Sequence, residues 1–397
     1  MIPIFDALKI IERETFKLPV ETIDLENSVN RVLAQTIKAD MDLPPFNRSQ
    51  MDGFAVKSKD VKNAPVEMKI IGESVAGKGF DVKIKLGECV RIMTGARLPD
   101  GADAVQKVEL TDENNGFVNI LEPTKKDQNI NPFASEIERG AKIFGKGEII
   151  TEQMIAAMAS FGYAKIKVFK RPKVAILSTG SEIVEINETP QRDQIRNSNS
   201  LMLKIFADKF SDAKILPLVK DDVESLRSAM ENALENCDVL ITTGGVSVGD
   251  YDFTKPVLRD SGAEIFFERV SLKPGKPTVF AKRNDCLIFG LPGNPVSSAV
   301  TFYLFARTAI LRMQSAKDCE LKKGFAVAAD KIKAAKERDS VLPAFVETDE
   351  TGKLIIESLR FNGSSNFIQF SRANALVFVP QGINIEANGV AEIYFLP

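Results

Sequence analysis

Histidine is absent from all 397 residues. That removes a Ser-His-Asp triad, a histidine general base and histidine metal ligands. Proton transfer must use Asp, Glu, Lys, Tyr or Cys, and any metal is expected to be a hard cation held by oxygen. An excess of positive charge is missing too. Lys and Arg number 52 against 54 Asp and Glu, a net charge of −2, whereas general nucleic-acid binding uses a basic face. Cysteine is sparse: Cys89, Cys237, Cys286 and Cys319 show no C-x-x-C spacing, which argues against a zinc or redox motif. Cys237 and Cys286 flank apolar runs and read as small core residues. Four scattered thiols fit a reducing cytosol, so a cytoplasmic location is expected. No apolar stretch is long enough to span a bilayer. The opening MIPIFDALKIIERETF reads as an amphipathic helix and not as a signal peptide.

The residues that are present describe an ordinary soluble chain, 44% hydrophobic and 27% charged. It is too long for one core, so several domains are expected. Residues 1 to about 170 have a mostly β texture, with a helix near the start marked by Phe5, Leu8 and Ile11. Alternating runs at 66–70 and 82–86 read as half-exposed strands. A helix is expected over 151–161, with Thr151 as N-cap and Gly162 past its end. From Arg171 the pattern changes: strands at 173–177, 215–219, 239–242 and 286–289 alternate with helices at 199–210, 222–235 and 295–313. This alternation predicts a parallel sheet covered on both faces, with ligands bound beyond the carboxyl ends of its strands. After residue 318 the texture is β again, with a turn at 349–352 and strands at 375–379 and 390–395, which suits a small closing barrel or sandwich.

Polar and glycine-rich residues gather at those strand ends. TTGGVSVGDYD at 242–252 follows a buried run. Gly244, Gly245, Ser247 and Gly249 can turn backbone N–H groups toward a phosphate, and Asp250 and Asp252 are hard oxygen ligands of the kind Mg²⁺ takes. STGSE at 178–182 carries Gly180, Ser181 and Glu182, and VKDD at 219–222 carries Asp221 and Asp222. Any one of these acids alone reads as a helix cap or first-turn charge; such sets together favour a clustered metal or phosphate site. SLKPGKPTVF at 271–280 holds Lys273 and Lys276 on a turn stiffened by proline. The commoner fate of such a turn is plain solvation, a reading weakened because the loop precedes a strand of the same sheet. LPGNPVS puts Pro292, Gly293 and Asn294 before a helix beginning near Pro295. GESVAGKG at 72–79 nearly spells a phosphate loop, but Gly79 stands where a hydroxyl must hold Mg²⁺, so a hairpin turn is expected. Asp52 and Thr94, taken alone, read as turn or capping residues.

SQMDGFAV, RIMTGARLPDGADAVQKVE, STGSEIV, VKDD, TTGGVSVGDYDFTK, KPGKP, GLPGNPVSS and SRANALVFVP occur in that order along the chain. In this the sequence resembles the molybdopterin molybdenumtransferase family, the MoeA and gephyrin E-domain proteins. Its α/β segment alone is shared with other molybdopterin-binding proteins. The resemblance implies an α/β plus β multidomain elongated subunit. Its parts are an N-terminal helical and linker domain over 1–45 and 140–170, a β-rich domain over 46–139, a three-layer α/β molybdopterin-binding domain over 171–317 and a C-terminal β-barrel over 318–397. It further implies a homodimer, whose cleft lies between the α/β domain of one chain and the β-rich domain of the other. The implied reaction is Mg²⁺-dependent insertion of molybdate into adenylylated molybdopterin, releasing AMP and forming molybdenum cofactor. On that reading Asp252, Asp52, Lys273 and Lys276 are catalytic. Thr94, Gly180, Ser181, Gly244, Gly245, Ser247, Gly249, Pro292, Asn294 and Ser371 bind the pterin and nucleotide. Glu182, Asp221, Asp222, Asp250 and Asp252 supply the Mg²⁺ ligands. Other molybdenum cofactor biosynthesis proteins are possible partners; nucleic acid and membrane are not expected.

One loop departs from the family pattern N-[VI]-R-x-x-G-E-D. It reads NINPFASE at 129–136, without the arginine and the glycine, and with Glu136 where aspartate is expected. Two other functions stay open on sequence alone. A gephyrin-like scaffold need not keep Asp252, Lys273 and Lys276 together. A nucleotide hydrolase sharing only the α/β domain needs neither SQMDGFAV nor a terminal barrel.

Overall fold

The structure is a computed structural model that describes residues 1–219, 223–244, 254–359 and 367–397, with backbone only at 254 and 255. Two compact units emerge. One comprises Met1–Gln35, Lys146–Ile155 and Lys165–Pro397, the other Thr36–Gly145 and Ala156–Ala164. The architecture is α/β plus β.

The first unit is built on a six-stranded sheet, in the order Asp212–Ile215, Lys173–Ser178, Val239–Thr243, Cys286–Leu291, Val279–Arg283, Glu264–Phe267. Val239–Thr243 is buried at every position and Lys173–Ser178 at all but its first, because both faces are covered. Side chains alternate between the two faces. Val174, Ile176 and Ile241 join a core with Leu203 and Ala207 of the helix Ser198–Asp208 and with the segment beginning at Pro295. Ala175, Leu177 and Leu240 join the opposite core, with Leu226 and Met230 of the helix Val223–Asn236. Phe280 and Phe289 are fully buried, their ring centroids 5.0 Å apart. Burying a side chain of this size contributes about 1.5–3 kcal/mol.

The structure revises several sequence expectations. The sheet is mixed: its first three junctions are parallel and its last two antiparallel. A two-residue turn with Asn284 at φ 50° closes the hairpin between Val279–Arg283 and Cys286–Leu291, the left-handed geometry that hairpin turns use. The strand expected over 215–219 is instead Asp212–Ile215, and Val219 makes only an isolated bridge to Thr179. Pro217 lies between them and has no N–H to donate. The first helix, Ile4–Glu14, buries Ile4, Ala7 and Ile11 and leaves Phe5 exposed. The long helix from Pro295 to Met313 contains a π-turn, Phe302–Ala306, between Pro295–Thr301 and Arg307–Met313.

The first unit also holds a closed five-stranded barrel. Asp339–Thr348 pairs with Leu354–Ser358, which pairs with Lys323–Ala328, then Val390–Phe395, then Ala375–Val379, which returns to Asp339–Thr348. Closure leaves no free edge within the ring. Leu272–Lys273 adds in parallel to Asp339–Ser340. The second unit is a six-stranded sheet in the order Ala104–Lys107, Gly53–Val56, Glu88–Ile92, Val66–Ser74, Phe117–Ile120, Thr111–Asn114. In it the GESVAGKG segment forms a tight turn, with Val75 and Lys78 exchanging two hydrogen bonds of 3.0 Å, and opens no helix. Among the described residues, no helix is long and apolar enough to cross a membrane.

Candidate active site at the carboxyl ends of the sheet

Strand register brings three loops together. Ser178 pairs with Thr243, and Thr243 with Leu291, so the chain leaves three adjacent strands at one level. Beyond them lies a cavity of about 870 Å³, whose wall includes Glu182, Thr243, Gly244, Pro292, Gly293 and Asn294. The helices starting at Ser198 and Pro295 both begin on this wall, where the positive ends of helix dipoles favour an anion.

Side-chain bonds lock the loops to one another. Asn197 caps its helix, its Oδ1 accepting from the Ser200 amide at 3.2 Å and from the Ser178 hydroxyl at 3.3 Å. The Ser178 and Ser200 hydroxyls lie 2.5 Å apart. Asn199 Nδ2 donates to the Gly293 carbonyl at 2.6 Å and to Thr243 Oγ1 at 3.1 Å, tying a helix start to two strand ends. Asn199 Oδ1 and Thr179 Oγ1 are buried without a hydrogen-bond partner among the described residues. Gly244 has φ 88°, and a Cβ there would meet the Thr179 carbonyl at 2.5 Å; only glycine fits.

Of the residues singled out from sequence, Glu182, Gly244, Pro292 and Asn294 line the cavity. Gly180 and Ser181 form the turn before Glu182, whose carboxylate folds back over Gly180. Lys273 and Lys276 are exposed and are not on the described wall, although Pro277 of the same loop is. That loop is anchored to the barrel: Leu272–Lys273 pairs with Asp339–Ser340, and Arg338 Nη1 donates to the Leu272 carbonyl at 3.2 Å. Ser371 closes the short helix Phe367–Phe370, its hydroxyl donating to the Ile368 carbonyl at 2.7 Å, while Phe367 reaches the cavity. Asp221, Asp222, Gly245, Ser247, Gly249, Asp250 and Asp252 lie outside the described residues. Among the described residues no three acids or cysteines cluster as a metal site. The sequence reading missed Arg196, Asn197 and Asn199 as wall residues. The available signal was NSNS at 197–200, a run of capping residues at a helix start.

In the second unit, Asp52 and Thr94 meet. Asp52 Oδ1 accepts from the Thr94 amide at 2.6 Å and from its hydroxyl at 2.8 Å. These bonds, the amide first, hold the Asp52 carboxyl below its ordinary value. The next residue, Gly53, packs against the strand Ala104–Lys107, where a Cβ would meet the Gln106 carbonyl at 1.9 Å.

Models of three regions match in series: the MoeA N-terminal region, domains I and II, over residues 2–162; a probable molybdopterin binding domain over 175–312; and the MoeA C-terminal region, domain IV, over 326–396. The chain is 35% identical to a molybdopterin molybdenumtransferase of Staphylococcus aureus, over 96% of this chain and 92% of that protein. It is 34% identical to one of Haemophilus influenzae, over 94% and 93%. The chain belongs to the molybdopterin molybdenumtransferase family. It is thus a member of a family of transferases. A crystal structure of the molybdopterin biosynthesis MoeA protein of Pyrococcus horikoshii superposes with a TM-score of 0.84 at 26% identity, covering 100% of both chains.

Membership sharpens the reading of the divergent loop. Ala134 occupies the position where the family pattern has glycine, and its φ is 56°, a left-handed backbone at a residue that does not favour it. Gln50 Nε2 donates to Asn131 Oδ1 at 2.7 Å, and Arg48 Nη2 to Glu136 Oε1 at 3.0 Å. The loop is therefore pinned beside the SQMD turn by partners of its own.

Proposed function

We propose that this chain inserts molybdenum into adenylylated molybdopterin, with Mg²⁺-dependent release of AMP, to form molybdenum cofactor, and that it does so as a cytoplasmic homodimer. The observation carrying this reading is the meeting of three strand ends and two helix starts around one cavity. Such a wall suits a phosphate-bearing ligand, and the cavity volume of about 870 Å³ lies within the usual range for ligand pockets.

Fixed amides and the Asn199 clamp would hold the pterin phosphate and orient the phosphoanhydride. Thr94, Gly180, Ser181, Pro292, Asn294 and Ser371 are assigned to substrate binding together with Gly244, Gly245, Ser247 and Gly249. Lys273 and Lys276 are assigned to molybdate, through charge-assisted hydrogen bonds to its oxygens. Mg²⁺ typically takes one or two carboxylates together with substrate phosphates and water, and a wall bearing the Glu182 carboxylate fits that mode. Glu182, Asp221, Asp222, Asp250 and Asp252 would hold the ion, which offsets charge developing on the leaving phosphate. Asp52 enters as a carboxylate kept ionised by Thr94.

The test is incubation of the purified chain with adenylylated molybdopterin, molybdate and Mg²⁺, following nucleotide release and reconstitution of an apo molybdenum enzyme. AMP should appear only when molybdate is present, together with active cofactor. Release that continues without molybdate makes the protein a hydrolase, and no release at all makes it a scaffold.

A further inference from the structure

Cysteine spacing argued against a redox motif, yet the fold brings two thiols together. Cys237 and Cys286, 49 residues apart, have their sulfurs 3.5 Å from one another. Cys237 follows the end of the helix Val223–Asn236, and Cys286 opens the strand Cys286–Leu291. The neighbouring backbone is fixed, since the Leu287 amide donates to the Asp238 carbonyl at 3.0 Å and Val239 registers with Leu287. Both cysteines are free, Cys286 buried and Cys237 partly exposed. They lie at the amino ends of the two central strands, opposite the ends that bear the cavity. The proposed activity does not use them.

We infer that Cys237 and Cys286 are an oxidation site that forms a reversible intramolecular disulfide when the protein meets hydrogen peroxide. The accessible Cys237 sulfur, as thiolate, attacks one peroxide oxygen. The O–O bond breaks, leaving Cys237 as a sulfenic acid and releasing the first water. The Cys286 sulfur then attacks Cys237, the S–O bond breaks and a second water leaves. Two thiols and one peroxide become one disulfide and two waters, the sulfurs being oxidised and the peroxide reduced. The division of roles follows from exposure: Cys237 meets the oxidant, and Cys286 waits beside it and intercepts the sulfenic acid before it oxidises further.

The surroundings also set the speed. Thiolate is the reactive form. The hydrogen bond with Cys237, and then burial, push the Cys286 thiol up. The second sulfur, Cys286, is therefore the one held back as thiol. The link closes a loop holding both the 242–252 segment and the Lys273–Lys276 turn, so it constrains the unfolded chain while leaving the native strand ends in place.

The experiment treats the full-length native protein with hydrogen peroxide, traps remaining thiols in acid with an alkylating agent, and maps peptides without reduction. The expected result is a crosslinked peptide joining Cys237 to Cys286, lacking two hydrogens and released by dithiothreitol, together with a higher melting temperature. Under the same treatment Cys286→Ser should carry Cys237 on to sulfinic acid, and Cys237→Ser should leave Cys286 a free thiol. Recovery of both wild-type cysteines as alkylated thiols, or a crosslink through Cys89 or Cys319, overturns the inference. The wild-type map decides this even if a serine variant fails to fold. Loss of AMP release in the assay above would not touch it.

Discussion

Asp52 and Thr94, 42 residues apart, are joined by two hydrogen bonds to a single carboxylate oxygen, at 2.6 Å from the amide and 2.8 Å from the hydroxyl. Both donors stabilise the ionised form. The folded value therefore lies below the ordinary 3.8. A carboxylate lowered in this way adds stability that is present above its unfolded value and is lost as pH falls through the folded one. NMR titration should place the Asp52 midpoint below 3.8. Thr94→Ala should raise it only partway, because the amide, the larger cause, remains. A wild-type midpoint at or above 3.8 would remove this interaction from the account.

Asn199 holds the Gly293 carbonyl and the Thr243 hydroxyl with one side-chain amide. Asn199→Ala leaves the exposed Gly293 carbonyl and the buried Thr243 hydroxyl without that donor, and an unsatisfied buried acceptor such as the latter costs about 1–3 kcal/mol. The expected signature is a lower melting temperature together with a KM for adenylylated molybdopterin raised about tenfold, equivalent to roughly 1.4 kcal/mol. A variant that loses stability but keeps its KM would make Asn199 a structural tie alone.

Gly244 is in the left-handed region, with the Thr179 carbonyl 2.5 Å from where a Cβ would stand. Gly244→Ala must distort the turn, at about 1–3 kcal/mol for the strained backbone alone. Turnover should fall with stability, and chemical denaturation alongside the AMP assay checks both. An unaltered denaturation midpoint would show that the turn tolerates a side chain.

Ala134 is the opposite case. At φ 56° it carries a side chain where none is needed. Ala134→Gly should stabilise the protein by about 1 kcal/mol, since the left-handed conformation costs an L-residue roughly 1–2 kcal/mol. Thermal unfolding reads the change, and destabilisation would mean that Ala134 contributes packing that outweighs its backbone strain.

Asp252 follows the glycine-rich loop in sequence and bears the proposed chemistry. Asp252→Ala should abolish AMP release and leave the circular dichroism spectrum and melting temperature unchanged. Near-normal release by the variant takes Asp252 out of the mechanism.

Part of this architecture could be read from one-dimensional pattern. The alternation of buried runs and amphipathic segments after Arg171 specified strands and helices, because burial on two faces demands continuous apolar strands. Glycine at 244 and the NSNS run at 197–200 are local necessities of turn and cap, visible wherever they occur. The near-miss at 72–79 was resolved locally as well, by the missing hydroxyl at Gly79.

Pairing was decided only by the tertiary structure. The antiparallel hairpin through Asn284, the attachment of Leu272–Lys273 to the barrel, the bond from Asp52 to Thr94 and the adjacency of Cys237 and Cys286 join residues from 3 to 67 positions apart in the chain. The sequence by itself set most of the strands, turns and caps, since those follow from each residue's own backbone preferences and from local hydrophobic period, but it put a strand at 215–219 that forms at Asp212–Ile215 and one at 82–86 that does not form. Which strands lie side by side depends on how distant faces close one common core, and that choice carried Asn199, Thr243 and Gly293 into contact.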